Sequence, residues 1–330
     1  MDFLHLIREK RRFLLSGHEH PDGDCLGAQV ALHHLLRALG KQSRIVNPDP
    51  LVKSHDFLLR HTPFEHYRPE QPLPEADALL LLDCAHLSRL GALGKVLAAT
   101  RPLIGVIDHH VGSEHGDGAV NLVDSAAAAT GVLVHGLWRQ AGIPLTPPAA
   151  EGVFVSLVAD TGWFKYSNTD AKVLQIAADL VAAGVDPTRV YDALNRRNHA
   201  DAVGLLAKAL QTHEFRCGGR YVQATIDRLQ MERAQQVSFD TDAVLEPLRS
   251  VEGVEVVGLF KERYDGAIKL SLRAVGAVDV QAIAKVFGGG GHKKAAGATL
   301  HLPMAKALAL VEEQVAAAIS ALGPVQIPPR

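Results

Sequence analysis

The stretch FLLSGHEHPDGDCLGAQVALHHLLRALG, residues 13–40, joins an apolar run, a cluster of ionisable side chains and a helical apolar pattern. Its first three residues predict a buried strand. Between Ala28 and Leu39, apolar residues recur at helical spacing, and Gly40 is a typical helix end. A strand followed by a polar turn and an amphipathic helix favours an α/β fold.

Two further apolar runs, residues 78–82 and 103–107, predict strands buried on both faces, as in a parallel sheet. The apolar segment at residues 149–159 predicts a helix. Ionisable residues follow these segments along the chain: His18, Asp22, Asp24, Asp83, Asp108, His109, His110 and Asp160. Ligands of open α/β sheets bind at the carboxyl ends of the strands, so we expect these side chains to converge.

Such a convergence predicts bound cations, because closely spaced carboxylates cannot all stay ionised without compensating positive charge. Mixed Asp and His ligands suit Mn²⁺ or a similar ion better than Mg²⁺, which prefers oxygen ligands. Taken singly, an aspartate such as Asp83 or Asp160 is more often a helix cap or a turn residue than a metal ligand. Cys25 and Cys84 directly follow two of the acids, and we interpret both as packing residues.

The second half of the chain has a different pattern, with strands predicted at residues 221–226, 254–260 and 268–272 and a long helix at residues 304–322. The expected fold class is α/β: a parallel-sheet N-terminal domain plus a smaller α+β C-terminal domain, with an active-site cleft between them. The predicted limits are residues 1–190 for the catalytic metal-binding domain, 191–213 for a helical linker and 214–330 for a substrate-binding domain.

A glycine-rich turn is predicted at residues 288–291, directly before His292 and two lysines. Backbone N–H groups of such a loop can approach an anion closely. On the preceding strand, Lys269, Ser271 and Arg273 share one face, and Arg273 can bind a phosphate through two parallel hydrogen bonds. Alternatively, the loop is only a tight turn and the lysines are solvated.

Composition limits the class of ligand. The 330 residues carry 34 basic and 36 acidic side chains, and aromatic residues make up only 5%. Neither a broad basic field nor many stacking rings is present, so we expect no long nucleic acid as a partner. Three separate cysteines without a C-x-x-C pair, together with the lack of a signal peptide or an apolar run of membrane length, predict a cytoplasmic protein with no membrane partner.

Four motifs resemble those of the DHH phosphoesterase superfamily: His18-x-x-Pro21-Asp22-x-Asp24, the single Asp83, Asp108-His109-His110 and Asp160-Thr161-Gly162. The segment GGGGHKKAAG, residues 288–297, resembles the signature of the DHH-associated C-terminal domain. Within the superfamily, the chain is most similar to the nanoRNase (NrnA-type) oligoribonuclease and pAp phosphatase group. Ala28 departs from that group, which usually has Ser there.

The resemblance implies a site for two divalent metal ions, Mn²⁺ first, with Mg²⁺ or Co²⁺ as alternatives. One ion would be held by His18, Asp22 and Asp83, and the other by Asp24, Asp83, His109 and Asp160. Asp83 would therefore bridge the ions, His110 would contact the phosphate or protonate the leaving oxygen, and Asp108 would orient its neighbours. The residues implied to bind the substrate are Ser271, Arg273, Gly289, Gly290 and His292.

The implied reaction is two-metal in-line hydrolysis of short oligoribonucleotides and linear pApA-type dinucleotides to 5′-mononucleotides, and of pAp to AMP and phosphate. The alternatives are a cytosolic cyclic-di-AMP phosphodiesterase and a RecJ-like single-strand exonuclease, although RecJ-type enzymes usually lack the histidine that stands here at position 18. A nucleotide sensor without catalysis is disfavoured because every expected metal ligand is present. The resemblance also implies a homodimer.

Overall fold

Six segments of the first half of the chain pair as a parallel sheet in the computed structural model, which describes residues 3–196, 199–237 and 239–322. The strands are β1 (Arg12–Ser16), β2 (Gln42–Asn47), β3 (Phe64–His66), β4 (Ala78–Leu82), β5 (Ile104–Asp108) and β6 (Val120–Val123). Their order in the sheet is β3-β2-β1-β4-β5-β6, and every neighbouring pair is parallel. The predicted parallel sheet is therefore confirmed.

Helices connect these strands and complete a first compact unit, residues 1–197. They are α1 (Phe3–Glu9), α2 (Gly23–Ala38), α3 (Gly91–Thr100), α4 (Thr130–Ala141), α5 (Pro147–Asp160), α6 (Ala171–Ala182) and α7 (Pro187–Asn195). Short 3-10 helices span Lys53–Arg60, Leu87–Leu90 and Ser113–His115.

Helices α2 and α5 meet at two glycines without intervening side chains. A Cβ atom on Gly27 would lie 2.3 Å from the carbonyl oxygen of Gly152, and one on Gly152 would lie 2.7 Å from that of Gly27. No other residue fits this backbone contact. It brings Asp24, in the first turn of α2, beside Ser156 of α5.

The second unit, residues 198–330, contains a mixed sheet. Its elements are α8 (Ala200–Gln211), β7 (Glu214–Arg216), β8 (Tyr221–Ile226), α9 (Arg228–Gln236), α10 (Leu245–Arg249), β9 (Val256–Glu262), β10 (Ile268–Ala274), α11 (Val280–Val286), β11 (Gly290–His292), β12 (Ala295–Leu300) and α12 (Met304–Ala321), with 3-10 turns at Cys217–Gly219 and Thr241–Val244. The strand order is β11-β12-β10-β9-β8-β7, and only β8 and β9 pair in parallel among these described strands.

The two faces of this sheet carry separate apolar clusters. Leu270 and Leu272 pack in a cluster with Val311 and Val315 of α12, whereas Val257 and Leu259 of β9 pack with α8 and α10 on the other face. Because side chains alternate along a strand, Lys269, Ser271 and Arg273 point away from α12.

The predicted glycine turn is only partly a turn. Gly290, Gly291 and His292 form β11, which pairs antiparallel with β12, so two lysines make the hairpin connection. The pattern suggested a turn because glycine has low strand propensity, but pairing with a neighbouring strand outweighs that propensity here. The domain limits 1–190, 191–213 and 214–330 stay predictions. In the part of the chain that the structure describes, no helix is apolar over enough residues to cross a membrane.

Candidate functional site

Asp83 lies at the carboxyl end of β4 in a left-handed backbone conformation, with φ of 60°. Asp is one of the few residues besides glycine that adopt this conformation readily, and such strain is concentrated at functional sites. The carboxylate is buried and accepts a hydrogen bond of 3.1 Å from Thr130 Oγ1. Burial, followed by the negative charge of Asp24, raises the pKa of Asp83 well above its usual value.

Asp24 lies in the first turn of α2 with its carboxylate fully buried. It accepts hydrogen bonds from the backbone N–H groups of Thr130 at 2.8 Å and Gly131 at 3.2 Å, and another from the hydroxyl of Ser156. Burial and the charge of Asp160 raise the pKa of Asp24 to about 6. The start of α4 and one turn of α5 therefore hold this carboxylate in place.

The ring of His109 lies between three carboxylates. Its Nε2 lies 2.9 Å from Asp160 Oδ2, 3.4 Å from Asp24 Oδ2 and 3.7 Å from Asp83 Oδ1. Nδ1 donates to the carbonyl oxygen of Ala127 at 3.1 Å, so Nε2 is the ring nitrogen that faces the acids. Nε2 makes no hydrogen bond of acceptable geometry within the described residues. Burial lowers the pKa of His109, but the three carboxylates together raise it to about 10.

His18 lies after β1 on the other side of Asp83. Its Nδ1 donates to the carbonyl oxygen of Glu19 at 2.8 Å, and its Nε2 lies 3.3 Å from Asp83 Oδ2. Cys25 Sγ shares this region with His18 and Asp83, and the thiol donates to the carbonyl oxygen of Leu82 at 3.7 Å. Burial raises the pKa of the Cys25 thiol, which stays protonated. Cys25 and Cys84 are both buried, and their role as packing residues stays a prediction.

Asp108 ends β5 and orients His110. Its Oδ1 accepts from His110 Nδ1 at 2.8 Å and from the backbone N–H groups of His109 and His110, while Ser113 Oγ donates to Oδ2 at 2.6 Å. Burial raises the pKa of Asp108, but hydrogen bonds from His110 and Ser113 outweigh that effect and lower it below its usual value. Asp108 therefore stays ionised, and the side chain of His110 is 46% exposed.

Asp22 occupies a different position from the other predicted ligands. It is the N-cap of α2, and its Oδ1 accepts from the backbone N–H groups of Asp24 at 3.0 Å and Cys25 at 3.1 Å. Its charge contributes to the raised pKa of Asp83, so it lies near the cluster.

The described residues contain three groups of potential metal ligands, and the ligand atoms of each group lie within 4.8 Å of one another. They are His18 with Cys25 and Asp83, Asp83 with His109 and His110, and Asp24 with His109 and Asp160. Asp83 and His109 each belong to two groups, whereas Asp22 belongs to none of them. The predicted convergence of the strand-end residues is therefore present, and its centre is Asp83 and His109.

The glycine loop of the second unit borders a pocket of about 520 Å³. Gly289 and Gly290 line it together with Ser271 and Arg273, whereas His292 is exposed on β11 and lies outside the pocket lining. A Cβ atom on Gly289 would lie 2.1 Å from the carbonyl oxygen of Gly297, so this position requires glycine. Open backbone beside a serine and an arginine can accommodate an anion.

The guanidinium of Arg273 already has a partner. Its Nη2 lies 3.0 Å from Asp242 Oδ2, and Lys261 Nζ lies 2.5 Å from Asp242 Oδ1. Burial raises the pKa of Asp242, but Lys261 and Arg273 lower it below the usual value. Neither Lys261 nor Asp242 was predicted as a site residue from the sequence. The available signal is Lys261 itself, a lysine that continues the apolar pattern of β9.

Two residues that position carboxylates of the first unit were also not predicted from the sequence. Thr130 and Ser156 hold Asp83 and Asp24, but each lies in an apolar helical segment that gives no motif.

Two family profiles match the chain, and together they cover both the site of the first unit and the glycine loop. The profile of the DHH family, N-terminal domain, matches residues 12–185, and the profile of the DHHA1 domain matches residues 238–322. The chain belongs to the DHH family, and the resemblance inferred from its motifs is confirmed. It is 34% identical over 288 residues to the bifunctional oligoribonuclease and PAP phosphatase NrnA of Thermus thermophilus, which covers 87% of this chain and 83% of that protein.

Two solved structures share the fold. An exopolyphosphatase-related protein from Bacteroides fragilis superposes with a TM-score of 0.86 at 20% identity, covering 96% of both chains. RecJ from Thermus thermophilus, in complex with Mn²⁺, superposes with a TM-score of 0.54 at 16% identity, covering 97% of this chain and 54% of that chain. At these identities the similarity shows the fold alone.

Proposed function

We propose that this chain is a metal-dependent phosphoesterase that hydrolyses short oligoribonucleotides and pApA-type dinucleotides to 5′-mononucleotides, and pAp to AMP and phosphate. One observation carries the proposal: His109 Nε2 lies within 3.7 Å of carboxylate oxygens of Asp24, Asp83 and Asp160 in a largely buried cluster. Membership in the DHH family and the name of the Thermus thermophilus relative support this substrate class. The enzyme would act in the cytoplasm as a homodimer.

The donor set fits two divalent cations. Carboxylate oxygens and imidazole nitrogens that face one another form a donor set that favours Mn²⁺, with Mg²⁺ or Co²⁺ as alternatives. One ion would be held by His18, Asp22 and Asp83, and the other by Asp24, Asp83, His109 and Asp160. When bound, such ions supply an activated water and an electrostatic clamp on the phosphate.

His110 and Asp108 would handle the proton on the leaving group. Because His110 Nδ1 donates to Asp108 Oδ1 at 2.8 Å, the carboxylate orients the ring of His110. Nε2 of His110 can then donate to the leaving oxygen. The exposure of this ring leaves room for a substrate beside it.

Residues of the second unit would bind another phosphate of the substrate. The backbone N–H groups of Gly289 and Gly290 and the hydroxyl of Ser271 border one open pocket. Arg273 would also donate to this phosphate while it keeps its ion pair with Asp242. A pocket that binds a second phosphate of the same substrate favours short ligands. His292, on the exposed strand β11, would add a further contact.

The test is a time course of hydrolysis with Mn²⁺ on pAp, pApA, short RNA, a long single-stranded RNA and cyclic di-AMP. We expect pAp and the short substrates to be hydrolysed much faster than the long strand. Equal rates on the long strand would instead establish a RecJ-like exonuclease. Preference for cyclic di-AMP would establish a cyclic dinucleotide phosphodiesterase, and no hydrolysis at all would establish a nucleotide sensor.

A further inference from the structure

A second depression in the second unit has no role in the proposed reaction. Its volume is about 270 Å³, and the residues that line it come from α9, the β9–β10 turn and β10: Arg228, Met231, Glu232, Gln235, Arg263, Tyr264 and Lys269. Lys269 also lines the pocket at the glycine loop, so the two cavities adjoin each other.

We infer that this depression binds a nucleobase of the substrate, stacked on the ring of Tyr264, while Lys269 contacts the neighbouring phosphate. Tyr264 lies in the hairpin turn with 73% of its surface exposed. An exposed ring beside a cavity is a stacking platform, because every base presents a π face. The inference rests on the proposed function, since it takes a short nucleotide as the ligand.

The charges around the depression favour a neutral ring over a second phosphate. Arg228 pairs with Glu232 at 3.5 Å, and Arg263 pairs with Asp265 at 3.2 Å, so both guanidinium charges are compensated. By contrast, Lys269 forms no ion pair within 4 Å in the described ranges, although its charge helps to lower the pKa of Asp242, and it lies where the two cavities meet. Phosphate binding is therefore expected at Lys269 and base binding beside Tyr264.

The remaining lining residues suit a flat heterocycle. Met231 is flexible and polarizable, and its thioether packs favourably against aromatic rings. The amide of Gln235 and the carboxylate of Glu232 offer a donor and acceptors for the edge of a base. A cavity of about 270 Å³ lies below the range of pockets that enclose drug-sized ligands, which matches one ring rather than a whole nucleotide.

The first experiment measures binding of a 5′-phosphorylated dinucleotide that contains 2-aminopurine to the full chain in EDTA. We expect binding to quench the fluorescence, as stacking does. Tyr264→Ala should lose the quenching and bind about tenfold more weakly, and Tyr264→Phe should keep both properties. Phe215→Ala is the matched control, because Phe215 is an exposed aromatic residue on the edge strand β7, whereas Tyr264 lies in the turn between the central strands β9 and β10.

The second experiment measures steady-state kinetics with Mn²⁺ on a dinucleotide and on its abasic analogue. We expect Tyr264→Ala to raise KM for the dinucleotide about tenfold at unchanged kcat, and to leave KM for the abasic analogue unchanged. Hydrolysis with the same KM in Tyr264→Ala would overturn the inference and leave the proposed function intact. Quenching that depends on Tyr264 in a protein without hydrolysis would support the inference and overturn the proposed function.

Discussion

The two candidate binding regions differ in how their charges are compensated. In the first unit, Asp24 and Asp83 are buried around His109 Nε2, and burial together with the repulsion between neighbouring carboxylates raises the pKa of both. In the second unit, Lys261 and Arg273 already share Asp242 beside an open, glycine-lined pocket. The first arrangement suits tightly held cations, and the second suits a ligand that binds and leaves.

The largest effect is expected from removing the carboxylate of Asp83, which the two proposed ions would share. We expect Asp83→Ala to lose Mn²⁺ binding, measured by calorimetry, and to lower kcat at least about 10³-fold, because charge stabilisation at the phosphate is lost. Asp83→Asn is the companion variant, since asparagine also adopts the left-handed conformation. Circular dichroism would check the fold, and full activity of a folded Asp83→Ala protein would contradict the bridging role.

A smaller change tests how the cluster is held. Ser156→Ala removes the hydroxyl that donates to Asp24 Oδ1, so we expect Mn²⁺ affinity to fall about 10–100-fold. The matched control is Ser320→Ala, an exposed serine on α12. Unchanged Mn²⁺ affinity in Ser156→Ala would show that Asp24 is positioned without this hydrogen bond.

Two neighbouring glycines test the pocket of the second unit. A Cβ atom on Gly289 would overlap the carbonyl oxygen of Gly297, whereas one on Gly290 would meet no atom within 4 Å. Gly289→Ala should therefore lower the free energy of unfolding by about 1–3 kcal/mol and raise KM. Gly290→Ala should keep the unfolding temperature of the unmodified chain. Equal unfolding temperatures for both variants would refute the close contact.

The smallest effect concerns the cation-free cluster. The pKa of His109 is about 10 in the folded protein, compared with 6.5 for an unperturbed histidine. The folded form binds this proton more tightly, so its stabilising contribution is complete below pH 6.5 and is lost as the pH rises through 10. In EDTA, Tm should fall by several degrees from neutral pH to pH 10, and less steeply in His109→Gln. Parallel curves for the two proteins would show that His109 is not responsible.

The central strands and the residues that follow them could be predicted because their signals are local. Strand β4 is buried at all five positions and is apolar throughout, so its run of leucines leads directly to Asp83. Strand β2 escaped prediction because its first half is exposed and polar, and hydrogen bonds to β1 place it in the sheet.

The supporting contacts of the site depend on tertiary structure. Ser156 and Asp24 are 132 residues apart, and Thr130 and Asp83 are 47 residues apart, so no motif spacing connects them. The ion pairs of the second unit likewise depend on residues that are distant in the sequence. Lys269, Ser271 and Arg273 share a face as predicted from alternation, but the pairing of Arg273 with Asp242 requires a loop 31 residues earlier.

The glycine contact between α2 and α5 has a consequence for adaptation to other cations. Asp24 belongs to one helix and Asp160 to the other, and at Gly27 and Gly152 the two backbones touch directly. No side chain at that crossing can shorten or lengthen to change the separation of the helices. A lineage that came to use a larger ion would therefore have to exchange the ligands themselves, since the scaffold that spaces them has no adjustable part.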